Sequence, residues 1–254
     1  MRAVELFAGA GGAALGLHRA GITHIALVEI DPDACATLGA AGYPAVRADV
    51  RALPLPAGLA PDLLWASPPC QAWSSAGKRL GARDERNGWP WTFAAIDHLR
   101  PRWFVAENVP GLRHHLRAAD CDGGKRPNPM ACSGCYWKCV VVPEVARRFA
   151  RSAVWMLDAA DFGVPQRRRR VFLVAGPREV HQPMPTRTDP ALSLLRAAGV
   201  QGWVTVREAL ELDNADLVRE SGQGAARTPR SLDEPAYAVR VQHHGGGGGL
   251  SVVG

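Results

Sequence analysis

The residues best suited to chemistry are a cysteine in a proline-stiffened loop and a glutamate one strand further on. Ala66-Ser67-Pro68-Pro69-Cys70-Gln71 follows an apolar run. The two prolines restrict the backbone and hold the thiol of Cys70 at a fixed position. A lone cysteine is ordinarily a small buried hydrophobe, but a polar, rigid loop is an unusual place for one. Its reactive form is the thiolate, which a cationic neighbour favours, and Arg167, Arg168, Arg169 and Arg170 offer such charges. Glu107-Asn108-Val109-Pro110-Gly111 ends the next apolar run. A protonated carboxyl there could donate to a ring nitrogen, or Glu-Asn could simply cap a turn.

A third motif, Phe7-Ala8-Gly9-Ala10-Gly11-Gly12, joins the first apolar run to a helical pattern. Its glycines allow a sharp turn and close approach of a ligand to the main chain. Gly9-x-Gly11-x-x-Ala14 meets the loose dinucleotide fingerprint, a weak signal alone. Glu29, at the end of the second run, could accept from ribose hydroxyls, and Asp49, after the third, from an adenine amino group. Either acid could instead cap the following helix. Together the three features point to an adenosine-containing ligand, NAD or S-adenosylmethionine.

Positioning these groups requires strands, expected at Ala3–Phe7, His24–Glu29, Ala45–Ala48, Leu63–Ser67 and Trp103–Glu107. Helices are expected at Ala13–Ala20, Pro32–Ala41 and Trp91–Leu99. Alternation of this kind predicts an α/β fold, a mostly parallel sheet with helices on both faces. All the candidate groups then lie beyond the carboxyl ends of strands, where open parallel sheets place their sites. Ala153–Leu157 and Arg170–Ala175 are expected to form a hairpin at the sheet edge. Residues 112–142 break the pattern and read as an insertion. After Pro177 the chain loosens, with a short helix near Val206–Leu212 and a flexible tract at Gln242–Gly254 containing five consecutive glycines.

With 254 residues and 47% hydrophobic composition the chain can bury a core. No apolar run approaches a membrane span, and the N-terminus lacks a signal-peptide layout, so a cytoplasmic location is expected. The net charge of +6 suits a polyanionic partner, or serves solubility.

The ordered set resembles the DNA cytosine-5 methyltransferase family. It comprises the Phe7–Gly12 loop, Glu29, Asp49, Pro68-Pro69-Cys70-Gln71, Glu107-Asn108-Val109 and Gln166-x-Arg168-x-Arg170, the last preceded by Ala160-Asp161-Phe162-Gly163-Val164-Pro165. The resemblance runs from residue 1 to about 178. It implies a Rossmann-like S-adenosylmethionine-dependent methyltransferase domain over 1–178 and a partial target-recognition and C-terminal region over 179–254. It implies S-adenosylmethionine held by Phe7, Gly9, Gly11, Gly12, Glu29, Ile30, Asp49, Val50 and Pro69. Catalysis would fall to Cys70, Glu107, Arg168 and Arg170, acting on cytosine flipped out of double-stranded DNA, in a restriction-modification or phage setting. A tRNA cytosine-5 methyltransferase shares the motif set. An NAD-dependent oxidoreductase would leave Pro-Pro-Cys and Glu-Asn-Val without a use.

Cys121, Cys132, Cys135 and Cys139, spaced C-x10-C-x2-C-x3-C in the insertion, suit a structural zinc. His114 or His115 could replace one of them. Arg230–Ala236 resembles the lead-in to the family's closing segment, whose own two motifs are not found. The expectation that follows is a chain that is truncated, degenerate, or completed by a second polypeptide.

Overall fold

The computed structural model describes residues 1–71, 81–115, 121–189, 199–211, 217–220, 230–231, 233–237 and 250–253. The chain divides into two compact units, Met1–Met156 with Arg170–Gln182, and Leu157–Arg169 with Pro183–Gly254.

The first unit is built on a seven-stranded sheet. Its strands are β1 (Arg2–Leu6), β2 (Thr23–Glu29), β3 (Ala45–Arg47), β4 (Leu63–Ala66), β5 (Trp103–Asn108), β6 (Arg151–Asp158) and β8 (Arg169–Gly176), in the order β3-β2-β1-β4-β5-β8-β6. The pairs β2–β3, β1–β2, β1–β4 and β4–β5 are parallel, and β5–β8 is antiparallel. The expected edge pair is therefore present as the adjacent strands β8 and β6, and the sheet is mixed but mostly parallel.

Helices cover both faces. On one, Ala14 of α1 (Gly12–Arg19) and Leu38 of α2 (Pro32–Ala40) pack on Leu27 and Ala8. On the other, Phe93, Ile96 and Leu99 of α3 (Trp89–Leu99) join Val4, Leu6, Val28, Leu64 and Phe104. Near-continuous apolar strands are what a sheet covered on both sides requires. Helix α3 starts two residues before the sequence expectation, because Gly88 precedes it and Pro90 fits its first turn.

The presumed insertion is more ordered than its composition implies. Its second half is helical: α4 (Ser133–Tyr136), a π-helical turn over Trp137–Val141, and α5 (Val142–Ala146). Pro143 cannot donate a backbone hydrogen bond, which accounts for the widened turn ahead of it. Tyr136, Trp137, Val141 and Val145 belong to the main core. The segment is thus not a loop without apolar content.

In the second unit, β7 (Gln166–Arg167) pairs with Ala236–Tyr237, and Arg187–Thr188 pairs with Gln201–Gly202. Thr205 and Glu208 form a capping box on the helix Val206–Leu210, close to the expected bounds. Leu250–Val253 is a strand paired with Leu217–Glu220, where the sequence reading has a flexible tail. The five glycines before it lie outside the described residues. Among the described residues no helix is long and apolar enough to cross a membrane.

Candidate functional site

The strand order reverses between β1 and β4, and in doubly wound sheets the ligand crevice opens beside such a switch, at the carboxyl ends of the strands. Register places Leu6 beside Ala66, and Ala66 beside Ala106. The Phe7–Gly12 loop, the Pro-Pro-Cys loop and the Glu107-Asn108 end of β5 thus emerge side by side from one edge.

The Gly-rich loop is bent by three left-handed residues, Phe7 (φ 57°), Gly9 (φ 54°) and Gly11 (φ 91°). Gly11 has no room for a side chain, since a Cβ would lie 2.8 Å from Leu38 Cδ2. Phe7 is not a glycine, and left-handed residues of that kind cost energy and cluster at functional sites. Glu29 braces the loop. Its carboxylate accepts the N–H of Gly9 at 2.8 Å on Oε2, and those of Ile30 and Asp31 at 2.8 and 2.9 Å on Oε1. A carboxylate has about four acceptor positions, so a further donor can still be accommodated. Asp49 caps the turn Val50–Ala52, accepting Arg51 N–H at 2.9 Å and Arg51 Nε at 2.7 Å. The hydrogen bond from the Arg51 guanidinium holds its carboxyl below the usual carboxylate range. Capping, one of the two roles the sequence allows for Asp49, is therefore seen directly. Val50 is buried and Ile30 is exposed.

Half-buried Cys70 follows a loop fixed from three sides. Ser67 N–H donates to the Leu6 carbonyl at 3.2 Å, and Trp65 Nε1 to Ser67 Oγ at 3.1 Å. Asn108 Nδ2 donates to the Pro68 carbonyl at 2.9 Å, a buried bond joining the Glu-Asn-Val segment to the Pro-Pro-Cys loop. Its Oδ1 accepts Val109 N–H at 2.9 Å. Gly88 closes the third side. A Cβ there would meet Pro69 Cδ at 2.9 Å, Phe7 Cζ at 3.0 Å and Pro68 Cβ at 3.1 Å.

Beside this loop Glu107 is ion-paired with Arg170, Oε1 to Nε at 2.7 Å. The antiparallel register that sets Asn108 against Val171 brings Arg170 to this edge. Arg168 belongs to the second unit. It is exposed, and its backbone N–H donates to Asp158 Oδ1 at 2.9 Å. Next to it Arg167 stacks over Trp203, 4.8 Å from the ring centroid. Asn108 and Gly88 contact the Pro-Pro-Cys loop in ways that sequence reasoning missed. Asn108 was inside a recognised motif but read only as a cap, and Gly88 carries no signal beyond marking a helix start.

Away from this edge, the ligand atoms of His115, Cys121, Cys132 and Cys135 lie within 4.8 Å of one another. The three cysteines are buried. Cys139, expected from the sequence as the fourth ligand, is exposed on the π-helical turn and stands outside this group; His115 takes its place.

A family model described as C-5 cytosine-specific DNA methylase matches residues 1–122. The type II methyltransferase M.AquIA of Picosynechococcus sp. is 34% identical over 184 residues, covering 67% of this chain and 70% of that protein. M.NgoMIV of Neisseria gonorrhoeae is 35% identical over 182 residues, covering 68% of this chain and 50% of its own length. The chain thus spans about half the length of M.NgoMIV, and likewise of M.PspPI of Psychrobacter sp. at 49%. The fold matches the crystal structure of a protein assigned as a DNA modification methyltransferase encoded within an E. coli prophage. Its TM-score is 0.58 at 25% identity, covering 91% of this chain and 61% of that one. The S. pombe Dnmt2 methyltransferase shares the fold, with a TM-score of 0.54 at 17% identity over 84% of this chain and 62% of that one.

Proposed function

The chain belongs to the C-5 cytosine-specific DNA methylase family, and we propose that it serves methyl transfer to C5 of cytosine in double-stranded DNA, as part of a restriction-modification or phage-borne system. The observation that carries this reading is the junction of loops at the switch point. Cys70 and Glu107 leave adjacent strands, and the Asn108–Pro68 hydrogen bond ties their loops together beside the Gly-rich turn.

The residues present fit S-adenosylmethionine. Gly9 and Gly12 leave open space where a Cβ would stand in the Phe7–Gly12 turn, and the carboxylate of Glu29 stands against it through Gly9. Asp49 ends the neighbouring strand loop. Phe7, Gly9, Gly11, Gly12, Glu29, Ile30, Asp49, Val50 and Pro69 would hold the cofactor, which supplies an electrophilic methyl group. A substrate cytosine has to leave the duplex to reach Cys70. The Cys70 thiolate adds to C6, forming the S–C6 bond and moving the ring electrons toward C5. Glu107, held by Arg170, would take up a proton from solvent and pass it to N3, so the ring can accept that charge. The methyl group the bound cofactor would supply goes to C5, the sulfonium leaving as the neutral thioether S-adenosylhomocysteine. Removal of the C5 proton by a base restores the C5–C6 double bond and expels the Cys70 thiolate, and N3 gives its proton back to Glu107. The family resemblance gives Arg168 the role of stabilising developing charge as a cation. The basic balance of the chain, +6, favours the phosphate backbone of the substrate.

The test is transfer of a tritiated methyl group from S-adenosylmethionine to mixed-sequence duplex DNA and, in parallel, to bulk tRNA, with nucleoside analysis of the product. Label in 5-methyldeoxycytidine supports the reading. Label confined to tRNA, or to another base or ring position, overturns it.

A further inference from the structure

We propose that His115, Cys121, Cys132 and Cys135 form a structural zinc site that anchors the chain on the far side of the Glu107 loop. The metal assignment is independent of the methyl-transfer reading; only its bearing on the Glu107 loop rests on it.

Among the described residues, the three cysteines form a cluster that contains no other buried apolar residue. Ordinary core packing would surround them with aliphatic or aromatic side chains, so hydrophobic burial does not explain the grouping. Disulfide bonding does not explain it either. Cys121 and Cys132 sulfurs are 3.3 Å apart, and all six cysteines are free thiols, whereas a disulfide bond is about 2.05 Å. His115 Nδ1 completes the set, 3.2 Å from the sulfurs of both Cys121 and Cys132 and 3.6 Å from that of Cys135. Zinc–sulfur bonds of about 2.3 Å and zinc–nitrogen bonds of about 2.0–2.1 Å give a tetrahedron with edges of roughly 3.5–3.8 Å. The three shortest pairs, at 3.2–3.3 Å, must open by a few tenths of an ångström and the widest, within 4.8 Å, must close by about 1 Å to hold one ion.

Two features fit a ligand set placed by the fold, one at the ring and one at the thiols. Gly124 sits in a left-handed conformation (φ 93°), and a Cβ on it would lie 2.9 Å from both Cε1 and Nε2 of His115. The missing side chain makes the space in which the imidazole lies with Nδ1 toward the thiols. Cys132 and Cys135 are joined by the two-residue spacing usual for zinc ligands. Three soft thiolates and an imidazole select zinc over magnesium or calcium, which take oxygen ligands.

The site sits where its rigidity reaches the catalytic edge. Ser133, next to Cys132, donates its hydroxyl to the carbonyls of Gly111 and His114 at 3.2 and 2.8 Å. Gly134 N–H also donates to His114 at 3.1 Å. These bonds clamp the segment that begins at Glu107-Asn108. One turn further on, Tyr136 accepts a hydrogen bond from Asn87, the neighbour of Gly88, at 3.2 Å. A metal at this corner would therefore steady both the loop after Glu107 and the residue wedged against Pro68 and Pro69.

The full chain, expressed in zinc-replete medium and purified without added metal, should carry about one zinc per chain by elemental analysis. Cys139→Ser should keep that stoichiometry, and His115→Ala and Cys135→Ser should lose it. Replacement by cobalt should give the intense near-ultraviolet thiolate charge-transfer bands and visible spectrum of a tetrahedral three-sulfur, one-nitrogen site in both the wild type and Cys139→Ser. Those two proteins settle the matter even if the ligand variants do not fold. Zinc-free wild type, loss of zinc on Cys139→Ser, or an unchanged zinc content in folded Cys135→Ser would overturn the assignment. If zinc binds but its removal leaves amide-hydrogen exchange at residues 107–115 unchanged, the link to the Glu107 loop is wrong and the metal site stands.

Discussion

Replacing Gly88 by alanine should damage the nucleophile loop without touching a reacting atom. The new methyl group would meet Pro69 Cδ at 2.9 Å, Phe7 Cζ at 3.0 Å and Pro68 Cβ at 3.1 Å. Carbon atoms prefer about 3.5–4.0 Å, so three neighbours must each give way by roughly half an ångström or more. The proline rings cannot rotate aside, and Phe7 is already held at φ 57°. Overpacking of this kind costs about 1–3 kcal/mol, which at about 2–4 °C per kcal/mol for a chain of this size lowers the melting temperature by roughly 2–12 °C. The remaining relief is displacement of the Pro-Pro-Cys loop, whose Pro68 carbonyl is tied to Asn108. A shift approaching 1 Å costs on the order of 100-fold in rate. The assay pairs calorimetry with the rate of covalent capture on 5-fluorocytosine duplex in the presence of S-adenosylmethionine. Gly16→Ala is the control, because a Cβ there meets nothing within 4 Å and alanine stabilises a helix interior by about 1 kcal/mol relative to glycine. A Gly88→Ala protein that melts and captures like the wild type would show that this wedge does not position Cys70.

Asn108→Asp keeps the oxygen that accepts Val109 N–H but turns a second oxygen toward the Pro68 carbonyl; capture should slow by at least the factor of about 5–150 that corresponds to 1–3 kcal/mol, with S-adenosylmethionine affinity by calorimetry nearly unchanged. Glu29→Ala removes the acceptor of three backbone N–H groups, so cofactor affinity should fall by about 1–3 kcal/mol and the melting temperature should drop as well; unchanged affinity excludes the ribose role. Glu5, 1% exposed on β1, has its carboxyl pushed up to about 8 by burial. The unfolded chain releases this proton near 4.5, so the stabilisation tied to the protonated acid is complete below that pH and is lost as pH rises toward 8, at up to about 1.4 kcal/mol per pH unit. Glu5→Gln should flatten denaturation midpoints between pH 5 and 8, whereas neighbouring His24, its pKa lowered by burial and by His18, acts in the opposite sense at lower pH. An equally steep decline in Glu5→Gln would assign the pH dependence elsewhere.

The parallel core of the fold was legible because each strand is a short apolar run closed by a chemically distinctive turn. Cys70, Glu107 and the Phe7–Gly12 loop emerge from one sheet edge as the βα alternation requires. Arg170 was legible only as part of a motif, since its partner Glu107 depends on the antiparallel register of β8. Roles that depend on three-dimensional fit were harder to read. Gly88 matters for the side chain it lacks, and no local pattern says that Phe7, Pro68 and Pro69 converge on it. The cluster proposed to hold zinc was half visible. Spacing singles out Cys132 and Cys135, but the choice of His115 over Cys139 is made by the helix that carries Cys139 onto an exposed face. That helix was itself missed, because Gly, Pro and Cys in residues 112–142 mask the apolar positions Tyr136, Trp137, Val141 and Val145 that seat it in the core.

The most direct measurement is covalent trapping at Cys70. In a preparation that methylates DNA, incubation with S-adenosylmethionine and a duplex containing 5-fluorocytosine should give a denaturant-resistant complex, because fluorine at C5 cannot be removed as a proton and the S–C6 bond persists. Peptide mass spectrometry should place the nucleotide on Cys70, and Cys70→Ser should give no complex while still binding S-adenosylmethionine. A complex that survives in Cys70→Ser, or an adduct mapped to any other residue, would contradict the assignment of Cys70 as the nucleophile.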